Sequence, residues 1–268
     1  MIRKAAVAGY FYPRTAAGLR SLLDGMVDLQ AKKEKARAVV SPHAGLIYSG
    51  YVAGAVYSSV VLPGHFVLLG PNHRSQRSLF GIMDKGAWET PLGKVPVDEE
   101  LAAAIVRHSS LIKTEEMAHE EEHSLEVQLP FLQYLRGAFS IVPLSVSPET
   151  DYESLEELGK ALAAAVRQAG QDVLIVASTD MSHYVSQETA RKKDFLAIER
   201  IQALDGRGLY DVVHREAISM CGYQPTVAAI LAAKELGSER ADLVRYMTSG
   251  ETSGDFAQVV GYAGLRII

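Results

Sequence analysis

Short apolar runs of four or five residues alternate with longer stretches in which apolar residues recur at helical spacing, from Ala36 to about Leu236. That alternation predicts an α/β chain whose largely parallel sheet is covered by helices. The strands fall at Ala36–Val40, Phe66–Leu69, Phe139–Val146 and Val173–Ala177. Helices are predicted at Thr15–Leu29, where Leu19, Leu22, Leu23 and Met26 share a face, and at Gly50–Val61, Asp98–His108, Ser124–Leu135, Tyr152–Gln168, Glu188–Leu204 and Pro225–Leu236. The stretch Ser78–Val95 breaks the pattern. Its turns at Asp84-Lys85-Gly86 and Pro91-Leu92-Gly93 predict an antiparallel insertion beside the main sheet. Asp242–Thr248 and Ala257–Ile268 read as two closing strands. No low-complexity tract or Pro/Ser-rich linker divides the 268 residues, so one domain is expected.

Composition narrows the function more than the fold. The net charge of −5 is spread along the chain with no basic stripe, which argues against a nucleic-acid partner or an anionic membrane surface. No apolar run has the length of a membrane span or of a secretory signal, so a cytoplasmic location is expected. The lone cysteine, Cys221, has no internal disulfide partner and is available as thiol, nucleophile or metal ligand.

Three predicted strands run into short polar loops that carry a histidine: Val39-Val40-Ser41-Pro42-His43, Leu68-Leu69-Gly70-Pro71-Asn72-His73, and Val176-Ala177-Ser178-Thr179-Asp180-Met181-Ser182-His183. In an open parallel sheet the carboxyl ends of the strands lie along one edge, where ligand sites form, so the three histidines are expected to meet. Pro42 and Pro71 stiffen the turns before His43 and His73. Asp180 is placed to hydrogen-bond a ring nitrogen of one of these histidines and set its tautomer. Cys221 precedes a predicted helix start, whose backbone N–H groups are expected to lower its pKa and bring it into the same pocket. His65, His108 and His214 lack such settings and read as surface or helix-face residues.

His119-Glu120-Glu121-Glu122-His123 matches the H-E-x-x-H spacing of zinc proteases, but it lies in a run of carboxylates that reads as a solvated approach to a helix. The residues just after this run are more informative. Ser124 can start a helix that places His123 and Glu126 near one end, where either reaches the pocket from behind its direct ligands.

Ala6-Val7-Ala8-Gly9-Tyr10-Phe11-Tyr12-Pro13, Ser41-Pro42-His43-Ala44-Gly45-Leu46-Ile47-Tyr48-Ser49-Gly50, Gly70-Pro71-Asn72-His73, Glu122-His123-Ser124-Leu125-Glu126, Ser178-Thr179-Asp180-Met181-Ser182-His183-Tyr184 and Cys221-Gly222 occur in an order that resembles the Memo family, from Arg3 almost to the last residue. The resemblance implies a three-layer α/β/α fold similar to that of the class III extradiol dioxygenases, which open catechol rings with O₂ at a non-haem iron(II). Carried over, it makes His43 and His73 metal ligands and His183 an acid/base, with Cys221 where the dioxygenases have a carboxylate ligand. A thiolate there favours softer ions, so iron(II) and copper, with zinc as a further possibility, are the expected metals, and extradiol chemistry does not follow automatically. The family also implies a pathway shared with AMMECR1-like and radical-SAM proteins.

Three functions are therefore compatible with the sequence. The first is a redox-active metalloprotein using His43, His73 and Cys221 as ligands, with His183, Asp180 and His123 as the groups around them and a small molecule as substrate. The second is a binding module that retains the pocket but recognises a peptide or partner protein. In the third, Cys221 is a nucleophile with His183 as its base. Tyr48, Trp88 and Tyr184 are candidates for an aromatic wall.

Overall fold

The computed structural model describes residues 1–74 and 76–268. Its strands are β1 Ile2–Arg3, β2 Ala38–Ser41, β3 His65–Pro71, β4 Phe80–Ile82, β5 Ala87–Thr90, β6 Gly93–Pro96, β7 Ile112–Thr114, β8 Ser140–Val146, β9 Val173–Ser178, β10 His183–Val185, β11 Ala241–Thr248 and β12 Val259–Ile267. Its helices are α1 Ala16–Asp24, α2 Leu46–Ser58, α3 Glu99–His108, α4 Met117–Glu120, α5 Leu129–Arg136, α6 Tyr152–Ala169, α7 Gln187–Gln202, α8 Gly206–Arg215, α9 Tyr223–Glu235 and α10 Gly250–Ser253.

The main sheet runs β10-β12-β2-β9-β3-β8-β4-β7, with β11 also paired to β12. Its centre, β2-β9-β3-β8, is parallel, and the two sides are closed by antiparallel pairings of β12 with β2 and of β4 with β8. Strand periodicity sorts the side chains into two cores. Ala38, Val40, Val67, Leu69, Ile175 and Ala177 face α3, α6, α7, α8 and α9, whereas Val39, Phe66, Leu68, Leu174 and Val176 face α1, α2 and α5. The architecture is three-layer α/β/α, with the sheet buried on both faces, which is why its central strands read as continuous apolar runs. No helix among the described residues is long and apolar enough to cross a membrane.

The expected antiparallel insertion divides in two. β4 enters the main sheet, while the β5–β6 hairpin pairs with β1 to form a separate three-stranded sheet. Helix α2 begins four residues before the predicted start, so Gly50, expected as its first residue, sits inside it as Gly54 does. A Cβ at Gly54 would overlap the Met26 carbonyl, so glycine there permits close approach of the Met26 backbone. Helix α8 is absent from the predicted elements; the Asp205 side chain caps it by accepting from Gly208 N at 2.8 Å. Trp88 is fully buried, with its indole N–H directed at Met83 Sδ, and so forms no wall of a pocket. His65 is half-buried and bonds Asp98 at 2.5 Å.

Because the Met26 carbonyl cannot move aside as a flexible side chain would, Gly54→Ala is expected to cost about 2–3 kcal/mol by overpacking. Urea denaturation would show this as a lower midpoint at unchanged slope; an unaltered midpoint would contradict the tight fit.

Candidate metal centre

The order β2-β9-β3 sets three strand ends side by side, with Ser41 level with Ser178 and Leu69 level with Ala177. Two residues beyond β2 stands His43; two residues beyond β3 stands His73; beyond β9 come Thr179 and Asp180. The expected meeting of His43 and His73 is realised, with ring centroids 5.3 Å apart. The third member of the group is His123. Its ring lies 4.7 Å from that of His73 and 5.4 Å from that of His43. One ligand nitrogen from each of the three falls within 4.8 Å of the others. His43 is buried at the floor, His123 is half-buried, and His73 is exposed at the rim.

Hydrogen bonds fix which nitrogen His43 and His73 offer. Ser178 Oγ donates its proton to Ser124 O at 2.6 Å, so at 2.9 Å from His43 Nδ1 it can only accept. His43 is thereby held with its proton on Nδ1 and a lone pair on Nε2. The Glu122 carboxylate plays the same part for His73, lying 3.0 Å from its Nδ1, and stands 3.4 Å from His123 Nδ1 as an electrostatic neighbour. It also accepts from His73 N at 2.6 Å and Ser124 N at 2.7 Å. An acceptor behind the imidazole, as at His43 and His73, is the arrangement that orients histidines as ligands and raises their basicity.

Burial opposes ionisation of Glu122, but the hydrogen bond and attraction from His73, joined by His123, outweigh it and hold the carboxyl well below its usual range. Burial and the neighbouring His123 and His73 rings push His43 well below the usual imidazole value, and burial brings His123 down to about 4. These two rings are therefore neutral at pH 7, the form a metal requires.

Glu122 and His119 are only 1% and 0% exposed, whereas Glu120 and Glu121 between them are exposed, so the run expected to be solvated turns these two side chains inward and keeps the others in solvent. His119 turns away from the centre, bonding Gly81 O at 3.0 Å and packing on Trp88, so the two histidines of the H-E-x-x-H spacing do not share a ligand position. Ser124 does not cap a helix; its hydroxyl donates to Pro71 O at 3.0 Å and so ties the His123 loop to the His73 loop. Glu126 stands away from the pocket, accepting from Arg3, Ala6 N, Val7 N and Tyr12.

Cys221 Sγ lies 3.2 Å from His43 Nε2 and accepts from Asp180 N at 3.3 Å, but it is not one of the three mutually close donors. Glycine at 222 makes this approach possible, because a Cβ there would overlap the Ser178 carbonyl. The expected drop in the thiol pKa is reversed: burial and then the Asp180 charge push it up, outweighing the donors near the helix start. This thiol faces His43 rather than His183, which removes the geometry of a Cys221–His183 nucleophile pair. Asp180 accepts from the backbone N–H groups of His43 and Ala44, at 2.8 and 3.3 Å, and thus fixes the His43 loop rather than a ring tautomer. Burial pushes it up to about 6. His183 is half-buried, with Nδ1 bonded to Ser219 O at 2.8 Å, and Tyr184 beside it is exposed in the left-handed region at φ 55°. The residues that sequence reasoning undervalued are Glu122 and His123. The Glu122-His123 step after an apolar-spaced His119 was the available signal.

An α/β protein with a three-histidine cluster at the carboxyl edge of its sheet is the class that fold and site define. The Memo-like protein family model matches residues 3–266, and the chain belongs to that family. It is 43% identical to a MEMO1 family protein of Methanothermobacter thermautotrophicus, over 99% of this chain and 100% of that protein. A MEMO1 family protein of Methanopyrus kandleri is 41% identical over 99% and 98%, and one of Aquifex aeolicus 42% identical over 98% of each. Among solved structures, an uncharacterized protein of Escherichia coli K12 shares the fold at TM-score 0.55 and 15% identity, covering 85% of this chain and 99% of that one.

His43, His119 and His123 all bind protons more readily in the unfolded chain, so stability falls as pH falls from 6.5 towards 4. Asp180, raised to about 6, and Asp194, also raised by burial, act in the opposite sense and gain stability as pH falls, but they are two groups against three. For chelator-treated protein, His123 alone is expected to contribute a loss of roughly 2–4 kcal/mol across that window. Urea denaturation at pH 7, 5.5 and 4.5 checks this: His123→Asn should have a shallower pH dependence than wild type, and equal slopes would contradict the assigned burial.

Proposed function

We propose that this Memo family member is a metal-dependent redox protein that holds iron(II) or copper on His43, His73 and His123, with Cys221 as an additional donor and a small molecule as substrate. The observation that carries the reading is the meeting of one nitrogen from each of the three histidines within 4.8 Å of the others, with Ser178 and Glu122 as the acceptors behind His43 and His73. Imidazole donors fit iron, copper or zinc, and a nearby thiol tilts the set toward the softer ions. Two tetrahedral ligands at ordinary metal–nitrogen and metal–sulfur lengths stand about 3.5 Å apart. The His43 Nε2 to Cys221 Sγ distance of 3.2 Å is close to that value, so the thiol is placed to join the three nitrogens once it gives up its proton.

A bound iron or copper ion would supply Lewis acidity and one-electron chemistry. The chain supplies the rest. Glu122 and Ser178 hold the His73 and His43 rings in one tautomer, and Asp180 holds the His43 loop through two backbone N–H groups. His183, with Nδ1 engaged by Ser219 O, presents Nε2 as the group that takes or gives a proton at the mouth of the centre. Exposure of His73 at the rim leaves access for a substrate from that side.

Metal analysis of protein purified anaerobically without tags or chelators tests the reading. Wild type is expected to retain close to one equivalent; His43→Ala and His123→Ala should lose it, and Glu122→Gln should bind about 10–100-fold more weakly. Equal, negligible metal in all samples would sink the proposal, and wild-type metal content in His123→Ala would remove His123 from the ligand set.

A further inference from the structure

Outside the metal centre, the most heavily engaged buried group is Glu126. It is 0% exposed, and its carboxylate takes Arg3 Nη1, Ala6 N at 2.8 Å, Val7 N at 3.1 Å and the Tyr12 hydroxyl. Arg3 uses its remaining N–H groups on the opposite partner. Nε donates to His119 O at 2.9 Å and Nη2 to Glu122 O at 2.6 Å, while the guanidinium lies 4.3 Å from the centre of the Trp88 ring. One ion pair therefore clamps two segments. Glu126 gathers Ala6–Tyr12 and Arg3 grips the backbone of His119–Glu122, the stretch that leads directly into His123.

Both segments end on the centre. In the gathered segment, Phe11 places its ring 4.7 Å from that of His123, and its carbonyl accepts from Leu46 N at 2.8 Å, at the start of the helix that follows the His43 loop. In the gripped segment, Glu122 bonds His73 and lies against His123. Glu126 does not touch these rings, and a purely structural pair would have no need to contact the peptide groups on both sides of them. Two features make the choice of residues specific. Arginine alone has the fork of donors that reaches a carboxylate and two carbonyls at once, and a carboxylate offers enough lone pairs for four donors.

Resting on the three-histidine reading of the centre, we infer that Arg3 and Glu126 are positioning residues: their buried pair sets the place of His123 and seats Phe11 against it, so that the Arg3–Tyr12 segment is part of the metal site's wall. The consequence is that the pair governs the quality of the site rather than mainly the stability of the fold. Removing one member leaves a buried charge without its partner, which is destabilising in itself. Replacing both with apolar side chains of similar size leaves no buried charge unpaired, and its cost is confined to the neutral groups that lose a partner, the Ala6 and Val7 N–H groups, the Tyr12 hydroxyl and the His119 and Glu122 carbonyls. The double substitution Arg3→Met/Glu126→Leu therefore separates positioning from folding.

The test uses full-length protein, cobalt(II) as the probe metal and two readouts. The first is cobalt affinity together with the visible ligand-field spectrum, which reports coordination geometry. The second, made without metal, is the NMR cross-relaxation between the Phe11 and His123 ring protons. In the double variant, with its thermal midpoint close to wild type, cobalt affinity is expected to fall at least tenfold, the visible bands to change, and the Phe11–His123 cross-peak to weaken or vanish. A folded double variant with wild-type affinity, spectrum and cross-peak overturns the inference. If wild type itself binds no cobalt, the metal reading fails, but the cross-peak still decides this inference: loss in the variant supports it and persistence overturns it. Should the double variant not fold, Tyr12→Phe removes one donor to Glu126 and no charge. A several-fold loss of affinity with a weakened cross-peak then supports the inference, and values equal to wild type on both measures overturn it.

Discussion

The carboxylate of Glu122 is the constraint on which the centre depends. It is buried, ionised, and shared by His73 and His123 through their Nδ1 atoms and by two backbone N–H groups. Without it, two imidazoles whose ring centres are 4.7 Å apart would be free to rotate, and either tautomer would be open to them. With it, His73 is held with Nδ1 on the carboxylate and His123 lies against the same oxygen. A buried carboxylate is costly unless its lone pairs are filled, and here the filling groups are the very elements the site needs to hold. Ser178 does for His43, with a neutral hydroxyl, what Glu122 does for His73.

The sheet explains why so few contacts are enough. Parallel pairing of β2, β9 and β3 delivers His43, Ser178 and His73 to one edge with register set by backbone hydrogen bonds. The third histidine comes from no strand. It is carried by the loop after α4, which is fixed at its back by Arg3 and at its front by Ser124 on Pro71 O. The centre thus combines two ligands placed by topology with one placed by side-chain contacts, and the latter is the more vulnerable to substitution.

This division also decides what was legible in the sequence. The apolar runs before Pro42-His43 and Pro71-Asn72-His73 announce strands ending in stiff turns, and their shared edge follows from parallel pairing, which is local information plus one rule of topology. The parallel sheet covered by helices was legible for the same reason, and its three-layer form followed from the resemblance to the Memo family. The role of Glu122 was not, because a run of carboxylates reads as solvated; its carboxylate is drawn inward by His73 and its carbonyl is held by Arg3, both far away in sequence. Cys221 illustrates a second limit. A helix start lowers a thiol pKa, but burial and the Asp180 charge have the opposite sign, and only the folded arrangement tells which is larger. Gly50 and Gly54 show a third, since glycine marks either a break or a close approach, and the Met26 backbone that decides between them lies outside the helix.

Anomalous diffraction from crystals grown anaerobically with one equivalent of iron(II), recorded on both sides of the iron edge, tests the central claim most directly. The account predicts a single strong peak bonded by the Nε2 atoms of His43, His73 and His123, with Glu122 still on the Nδ1 side of the latter two. A peak bonded by His43, His73 and Cys221 with His123 swung away, or no ordered peak at this edge of the sheet, would contradict it.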